Sequence, residues 1–440
     1  MATRRWLGLA APTTQIETIT VANTWATNDT GTVTVNGQDL ILTVGAVVTT
    51  TGIATALAAA INAANRTDSL VGTESRNRGG QEIPEFTDFT AEASGSTVVL
   101  TGNYPGKPFT VSVSESTAGT GTLATTTTVA ATGPNHFDNA DNWSGATLPA
   151  NGDTIQFDDG EVDCLYGLTH LRDNTKAVHL TRTTDYTGQI GLPTVNDDGG
   201  YPEYRTRFLQ LYDAAGAKDM TFVTGVNGGA GGVTRLDGAS QTVNSLTVLD
   251  AGGVNSSQPA IEYAGGTLDA LIVRRGYVVI DPEQASMAGT TISAVSIGAP
   301  SLQDSETLVV LGDAVIYSAS TAFNVASGQV VAWSSLTNAT PITVTQYGGS
   351  LEAKGANLNT VTVRGGTFTW SGSGTFSGST LSVYTGATLD LSTDQRSKTF
   401  GTLNAYGRSV LLMGVYTSAT ITPVGCSIDQ IDVSYYSDAA

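Results

Sequence analysis

The sequence predicts a mainly β protein, with a small N-terminal α+β domain followed by a right-handed parallel β-helix, or β-solenoid. Two observations lead to this fold class. Short aliphatic runs separated by glycines recur through the C-terminal half, and charged residues make up only 13% of the chain. Gly, Ser and Thr fill the difference, and this composition favours strands and tight turns over helices.

The repeat unit reads aliphatic-x-aliphatic, then one or two glycines, then a second aliphatic run. Copies begin at Leu246, Leu271, Ile342, Val361, Leu381 and, more weakly, Leu403. The steps are 25 residues (246 to 271), 19 (342 to 361), 20 (361 to 381) and 22 (381 to 403). A period of about twenty residues is typical of a β-solenoid, in which each coil buries its apolar residues by stacking on the next.

The chain divides into five predicted regions. These are an N-terminal arm (1–15), a small α+β attachment domain (16–115), a Thr/Gly-rich linker (116–135), a β-solenoid with a Trp/Phe cap at its start (136–415) and a C-terminal strand or cap (416–440). Within the small domain we expect strands at 16–21, 31–35, 40–48, 88–93, 98–101 and 109–113. Asn36-Gly37 predicts a hairpin turn, and apolar spacing predicts a helix from a cap at Thr51 through Asn65.

Part of the small domain resembles a known group of virion proteins. The segments concerned are Gly31-Thr-Val-Thr-Val-Asn-Gly, the helix from Ala56 to Asn62, the run from Thr90 and Pro105-Gly-Lys-Pro-Phe-Thr-Val. Their order is similar to the small β-hairpin–helix–strand domains of bacteriophage tail-tube and tail-sheath proteins. The likeness covers about a quarter of the chain and carries no catalytic motif; the long segment 66–85 departs from the compact version.

The start of the predicted solenoid also carries a resemblance. Phe137-Asp-Asn-Ala-Asp-Asn-Trp143, then Pro149, Gly152-Asp153 and Phe157, looks like the Trp…Pro…Gly-Asp…Phe entry ahead of many bacterial and viral β-helices. A first coil exposes apolar side chains and unpaired backbone, so it needs a cap. Trp143 and Phe157 are predicted to supply that cap.

The net charge of −19, from 39 acidic and 20 basic residues, argues against direct nucleic-acid binding because the chain repels phosphate. Arg4 and Arg5, followed by Trp6, are either a solvated tail or a docking peptide for an acidic partner. The apolar run 6–11 is shorter than the core of an export signal, and no run reaches membrane-spanning length. We therefore expect a protein made in a host cytoplasm without export, and no membrane partner.

No cofactor or metal is expected, with one weak exception. Asp158, Asp159, Glu161 and Asp163 form the densest acidic cluster, which is either a solvated turn or a Ca²⁺ site. His136, His170 and His179 have no zinc spacing and no accompanying nucleophile motif, which favours structural roles. The two cysteines, Cys164 and Cys426, are predicted to be buried small apolar residues.

A glycan-cleaving β-helix is the catalytic alternative, because glycoside hydrolysis needs two carboxyl groups about 5–10 Å apart. The candidate acids are Asp269, Asp281 and Glu283, or Asp390 and Asp394. The candidate sugar-stacking aromatics are Tyr347, Trp370, Tyr384 and Tyr406, which are equally suited to the core or to a trimer contact. Acidic residues are sparse in the repeats, so catalysis is the weaker hypothesis.

The prediction is therefore a structural bacteriophage virion protein, a capsid decoration or fibre protein that attaches through its N-terminal region and displays a β-helical rod. The expected partners are other virion proteins and two further copies in a homotrimer, with a host surface glycan as a further partner. Two alternatives remain: a tailspike-type depolymerase or receptor-binding protein, and a bacterial surface adhesin, which would require an export signal or anchor.

Overall fold

The structure is a computed structural model. It describes residues 2–64, 73–75, 84–150, 153–172, 178–183, 185–192, 208–213, 220–225, 232–238, 242–252, 258–282, 289–299, 306–332, 342–354, 358–371, 374–376, 380–393, 398–414 and 417–436. The chain is mainly β, and two long parallel sheets dominate it. This arrangement is compatible with a β-solenoid.

The longer parallel sheet has 16 strands. Their bounds are Thr3–Arg5, Thr154–Phe157, Val178–Arg182, Met220–Gly225, Thr242–Val243, Ser245–Asp250, Thr267–Leu268, Leu271–Val273, Thr291–Ile297, Ile316–Val325, Ile342–Gln346, Leu358–Val363, Gly374–Phe376, Thr380–Val383, Lys398–Tyr406 and Thr417–Val424. The shorter parallel sheet has 12 strands. Their bounds are Thr169–Arg172, Leu209–Asp213, Thr234–Asp237, Ile261–Ala264, Gly276–Ile280, Thr307–Leu311, Gln329–Ala332, Ser350–Ala353, Thr367–Trp370, Thr388–Asp390, Val410–Gly414 and Asp432–Tyr436.

The chain alternates between these two sheets. From residue 154 onward, each strand of the shorter sheet is followed by one or two strands of the longer sheet before the chain returns. Inward positions along both sheets are apolar, and they join into one buried core that extends from Trp6 to Ile431. Each pair of strands therefore covers the apolar residues of the pair before it.

The strand register agrees with most of the sequence repeat. Leu246 pairs with Leu271, and Leu381 pairs with Val361 on one side and Leu403 on the other. The copy at 342 is displaced by two residues, since Val344 rather than Ile342 is the partner of Val361. Gln346 lies on the same inward face as Ile342 and Val344, and its Nε2 donates to the carbonyl oxygens of Gly349 and Thr367.

The aliphatic repeat of the sequence did not predict the parallel strands between residues 273 and 342. Their inward residues include Val295, which pairs with Leu271, and Phe323, which pairs with Val295. The parallel sheets also extend beyond the predicted limit at residue 415. Thr417–Val424 joins the longer sheet and Asp432–Tyr436 joins the shorter one, where the sequence predicted only a final strand at the C-terminal end.

Residues 16–129 form two antiparallel sheets and one helix, with a separate apolar core. The first sheet has the strand order Phe89–Ser94, Thr97–Gly102, Ile16–Ala22 and Thr122–Val129; the second has the order Thr73–Ser75, Gln38–Thr43, Thr30–Val35 and Val111–Ser116. The helix Thr50–Ala64 buries Ile53, Leu57 and Ile61. Its cap is Thr49 rather than Thr51, since Thr49 Oγ1 accepts the Gly52 N–H at 3.1 Å.

Short 3₁₀ turns occur at Pro84–Asp88, Ala140–Asn142 and Ile428–Gln430. The expected hairpin turn at Asn36-Gly37 is present, with φ of +47° and +85°. The linker prediction for 116–135 is wrong over 122–129, because Thr122–Val129 pairs with Ile16–Ala22 along its length. Small β-branched residues were read as flexible there, whereas they supply an edge strand of the antiparallel sheet.

Candidate functional site

The first residues of the chain cover the end of the longer parallel sheet. Thr3–Arg5 pairs in parallel with Thr154–Phe157, so that Thr3 lies opposite Thr154 and Arg5 opposite Gln156. The predicted N-terminal arm at 1–15 is thus a paired strand over Thr3–Arg5. The physical reason is that an open sheet edge exposes a row of unpaired N–H and C=O groups, which this strand satisfies on one side.

Both N-terminal arginines find acidic partners within the chain. Arg4 Nε lies 3.2 Å from Asp153 Oδ2, and the guanidinium of Arg5 forms an ion pair with Asp158. Arg4 is partly buried, whereas the Arg5 side chain is 57% exposed. The prediction of a solvated tail is therefore wrong for Arg4 and Arg5, because both lie in a paired strand and form ion pairs within the chain. The alternative, a docking peptide for an acidic partner, stays a prediction.

Asp153 fixes the beginning of the chain. Its Oδ1 accepts the backbone N–H of Ala2 at 2.8 Å, while its Oδ2 accepts the N–H of Ala150 at 3.1 Å and the Arg4 guanidinium. Burial acts to raise the pKa of Asp153, but these hydrogen bonds and the charge of Arg4 outweigh burial and hold that pKa below its usual value. The ionised carboxylate is thus the form that holds the N-terminal strand.

An aromatic cluster closes the core behind this strand. The ring of Trp6 lies 5.2 Å from that of Trp143 and 5.8 Å from that of Phe157, with Phe137 and Tyr186 against the other sides of the cluster. Both indoles are satisfied, since Trp143 Nε1 donates to Phe137 O at 2.8 Å and Trp6 Nε1 to a backbone carbonyl. The structure therefore brings together Trp6, Trp143 and Phe157.

Asn142 connects three segments beneath the cluster. It is fully buried; its Oδ1 accepts the Ala10 N–H at 2.8 Å, and its Nδ2 donates to Gly133 O at 2.7 Å and to His136 O at 2.8 Å. Sequence reasoning missed both Asn142 and Asp153. Each lay inside the entry motif, where an Asn directly before a predicted buried Trp and an Asp after a Gly were the available signals.

His136 joins the antiparallel region to the parallel sheets. Its Nε2 lies 2.7 Å from Gly106 O, its Nδ1 lies 3.5 Å from Asp138 Oδ1, and its ring packs against Tyr166. The hydrogen bond with His136 is the largest influence on Asp138, whose pKa it lowers. These contacts agree with the structural role expected for this histidine.

A cleft of about 470 Å³ lies beside this junction. Gln15, Glu17, Thr127, His136 and Asp138 are among the residues that line it. Glu17 is 5% exposed, and its carboxylate accepts Gln15 Nε2 at 2.8 Å and Thr127 Oγ1 at 2.7 Å. The Glu17 carboxylate in the cleft is therefore hydrogen-bonded to other residues that line the cleft.

The acidic cluster does not form a metal centre. Asp158 is engaged by Arg5, and Asp163 Oδ1 accepts the Gln189 N–H at 2.7 Å. Within the described ranges, no group of three or more His, Cys, Asp or Glu side chains is placed to hold a metal ion. The Ca²⁺ hypothesis for Asp158, Asp159, Glu161 and Asp163 is thus wrong, because no three of these four described side chains come together as a metal site needs.

The candidate catalytic acids lie in different settings. Asp269 is exposed beside the longer sheet, whereas Asp281 is 5% exposed and its two carboxyl oxygens accept the N–H and the hydroxyl of Thr290, each at 2.6 Å. Burial is the main cause of the raised pKa of Asp281. Asp390 is on the shorter sheet and bonds Ser392. Glu283, Asp394 and the side chains of His170 and His179 lie outside the described residues.

The candidate aromatics separate into two groups. Trp370 is fully buried in the core, whereas Tyr347 is 57% exposed and Tyr384 and Tyr406 are partly exposed and stacked on each other.

The two cysteines differ in burial. Cys164 is fully buried, and desolvation raises the pKa of its thiol; Cys426 is partly buried against the core.

Arg182 is a further buried polar group that the sequence did not reveal. Its guanidinium lies inside the core, where it donates to Thr234 Oγ1 at 2.6 Å and Gly188 O at 2.8 Å and covers the ring of Tyr186 at 4.9 Å. Burial lowers its pKa to about 10, so the group stays charged at neutral pH. The Arg182 side chain therefore joins Thr234 and Gly188 next to Tyr186 of the aromatic cluster.

No protein-family model matches the sequence, and the search of curated proteins found no match. None of the helices in the described part of the chain has the length and apolar character needed to cross a membrane. The function is accordingly inferred from the residues and geometry above.

Proposed function

We propose that the chain is a structural protein of a bacteriophage particle, a capsid decoration or fibre protein, whose parallel sheets form a right-handed β-solenoid rod. The observation that carries this proposal is the regular alternation of strands between two parallel sheets along one continuous apolar core. Such stacking supports a stiff, extended element, because each coil is held by the next along its whole length.

In this proposal the small α+β attachment domain, expected over 16–115, extends to residue 129, because Thr122–Val129 belongs to its first sheet. The separate core and two antiparallel sheets of residues 16–129 support an element that packs as a unit. The bonds of Ala2, Arg4 and Ala10 to the start of the rod, together with His136, would hold rod and attachment region in a fixed relation. A fixed relation suits a part that must project from a particle in one direction.

The particle would supply the partners. We propose that neighbouring virion proteins contact the attachment region, and that three copies associate, because homotrimers bury strips that a single rod leaves exposed. The chain would be made in the host cytoplasm and incorporated there.

The tailspike depolymerase gains less support, since Asp281 is buried in a turn and bonded to Thr290 rather than open to a substrate. No described feature favours the adhesin over the particle protein.

Mass spectrometry of purified particles from the phage that encodes this chain tests the proposal. We expect the chain among the virion proteins, at hundreds of copies for a decoration protein or about a dozen for a tail fibre. Sedimentation of the purified chain tests the trimer separately. Absence from washed, infectious particles would refute the structural role, and a release of reducing ends from host capsule would favour the depolymerase instead.

A further inference from the structure

One face of the longer parallel sheet carries a regular array of hydroxyl and amide side chains. In the strands from Ile342–Gln346 to Thr417–Val424, inward residues such as Val344 and Val361 are buried, and the residues between them point outward. Two outward columns follow from the register. The first holds Thr343, Thr360, Thr380, Thr402 and Thr420; the second holds Thr345, Thr362, Ser382, Asn404 and Thr422.

An aromatic and cationic column borders this array. Tyr347, Arg364, Tyr384 and Tyr406 each directly follow the last inward residue of their strand. The rings of Tyr384 and Tyr406 are stacked, with centroids 4.1 Å apart and planes 11° apart, and Arg364 Cζ lies 4.6 Å from the centroid of Tyr384. The stack holds Arg364, which is itself exposed, at a defined place beside the hydroxyl columns. We call these three columns the hydroxyl–tyrosine face.

The charge of this face is opposite to that of the chain as a whole. The chain carries a net charge of −19, yet none of the positions in the three columns is acidic and Arg364 is basic. Between 342 and 424 the described acidic residues, Glu352 and Asp390, are on the shorter sheet. Among the described residues, no carboxylate lies within ion-pair distance of Arg364. An anionic ligand therefore meets one cation and no acid along these columns, whereas the net charge of the chain disfavours it.

We propose that the hydroxyl–tyrosine face binds an anionic polysaccharide whose sugar carboxylates reach Arg364. Coils repeat about every 4.8 Å, so the face offers an extended chain the same hydroxyl donors and acceptors at each step. Weak contacts that repeat along a polymer add up to useful affinity. A planar guanidinium binds a carboxylate through two parallel hydrogen bonds, and tyrosine edges contact the C–H groups of sugars.

Two other occupants fit the face less well. The buried centre of an interface between copies is more apolar than the protein surface, and here the centre consists of hydroxyl and amide groups. Nucleic acid binding needs many cations along a phosphate backbone, and this face has one. The proposal goes beyond the structural role and does not require the particle, so it stands or falls on the isolated chain.

Calorimetric titration of the full-length protein with polygalacturonate, a carboxylate polysaccharide, tests the proposal. We expect saturable binding that weakens with salt, little binding of neutral dextran, and a loss of about tenfold in affinity for Arg364→Gln, the amount expected from one charge-assisted contact. Tyr384→Ala should weaken binding as well. The matched control is Lys354→Gln, which removes a partly exposed cation at the end of Ser350–Ala353 on the other sheet.

Three results would overturn the proposal. They are no binding of polygalacturonate by the wild-type chain, equal losses for Arg364→Gln and Lys354→Gln, and concentration-dependent self-association of the wild type that Tyr384→Ala abolishes. The last outcome would assign the face to contact between copies. Thermal unfolding of each variant separates a loss of binding from a loss of folding.

Discussion

Asn142 holds Ala10 in place from 132 positions away in the chain: its Oδ1 accepts the Ala10 N–H at 2.8 Å, and both residues are buried. The same side chain donates to Gly133 and His136. One amide thus joins the segment that leaves the first strand to the segment that enters the parallel sheets. The contact explains why the two regions meet in a defined way.

Replacing Asn142 with Ala should lower the free energy of unfolding by about 3 kcal/mol, because it leaves the buried Ala10 N–H without a partner and removes one hydrogen bond each from the Gly133 and His136 carbonyl groups. Denaturant unfolding measures the change. Asn324→Ala is the control, since Asn324 is exposed on the longer sheet and should be nearly neutral. Equal effects of the two substitutions would show that the three hydrogen bonds contribute nothing specific.

Trp143→Ala should destabilise the protein by about 3–5 kcal/mol, the range for removing a large buried aromatic side chain. Trp143 is 1% exposed and contacts the rings of Trp6, Phe137 and Phe157. Thermal unfolding is the measurement, with Tyr435→Ala as the control because Tyr435 is 69% exposed. A similar unfolding temperature for Trp143→Ala and the wild type would contradict the assigned role of the aromatic cluster.

Acid should weaken the attachment of the N-terminal strand through Asp153. The pKa of Asp153 is lower in the folded chain than its usual value, so the carboxylate adds stability above the unfolded pKa. That contribution is lost as the pH falls through the folded pKa. We expect Asp153→Asn to be less stable than the wild type at pH 7 and the difference to shrink toward pH 3, as followed by denaturation midpoints.

The control for this pH series is Asp141→Asn, because Asp141 is exposed on the neighbouring 3₁₀ turn. Its difference from the wild type should stay small at every pH. If Asp153→Asn kept a constant deficit down to pH 3, the ionised carboxylate would not be what holds the strand.

Substitutions at Gly366 and Gly386 distinguish the effect of a clash with the neighbouring strand from the effect of backbone strain. Gly366 and Gly386 have similar positive φ values, +75° and +78°, so an added Cβ strains either backbone by about 1–2 kcal/mol. A Cβ at Gly366 would lie 2.1 Å from Gly349 O, whereas one at Gly386 meets nothing within 4 Å. Gly366→Ala should therefore unfold at a clearly lower temperature than Gly386→Ala. Equal melting temperatures would mean that neighbouring coils are looser than described.

The apolar period of the sequence was enough to predict parallel stacking through 246–271 and 361–403. There every coil repeats an aliphatic-x-aliphatic run at a similar spacing, and the pairing of Leu381 with Leu403 follows from it. The coils at Val295 and Phe323 were not predicted, because their spacing differs and because a Phe replaces the aliphatic residue in one of them. Register also depends on local shifts, such as the one between Ile342 and Thr343, which the aliphatic repeat does not predict.

The site at the start of the parallel sheets was only partly predictable. Large aromatic side chains are usually buried, and this tendency was enough to select Trp6, Trp143 and Phe157 from the sequence. The partners of Arg4 and Arg5 could not, because Asp153 and Asp158 are about 150 positions away and no local rule connects them. The same distance hid the parallel pairing of Thr3–Arg5.

The pairing of Thr3 with Thr154 has a consequence for how the chain is made. The first residues leave the ribosome long before their partners exist, so they must wait until the polypeptide has been synthesised past residue 157. Contacts this distant in sequence form late and slowly. During that interval Thr3–Arg5 lacks its partner strand in the parallel sheet.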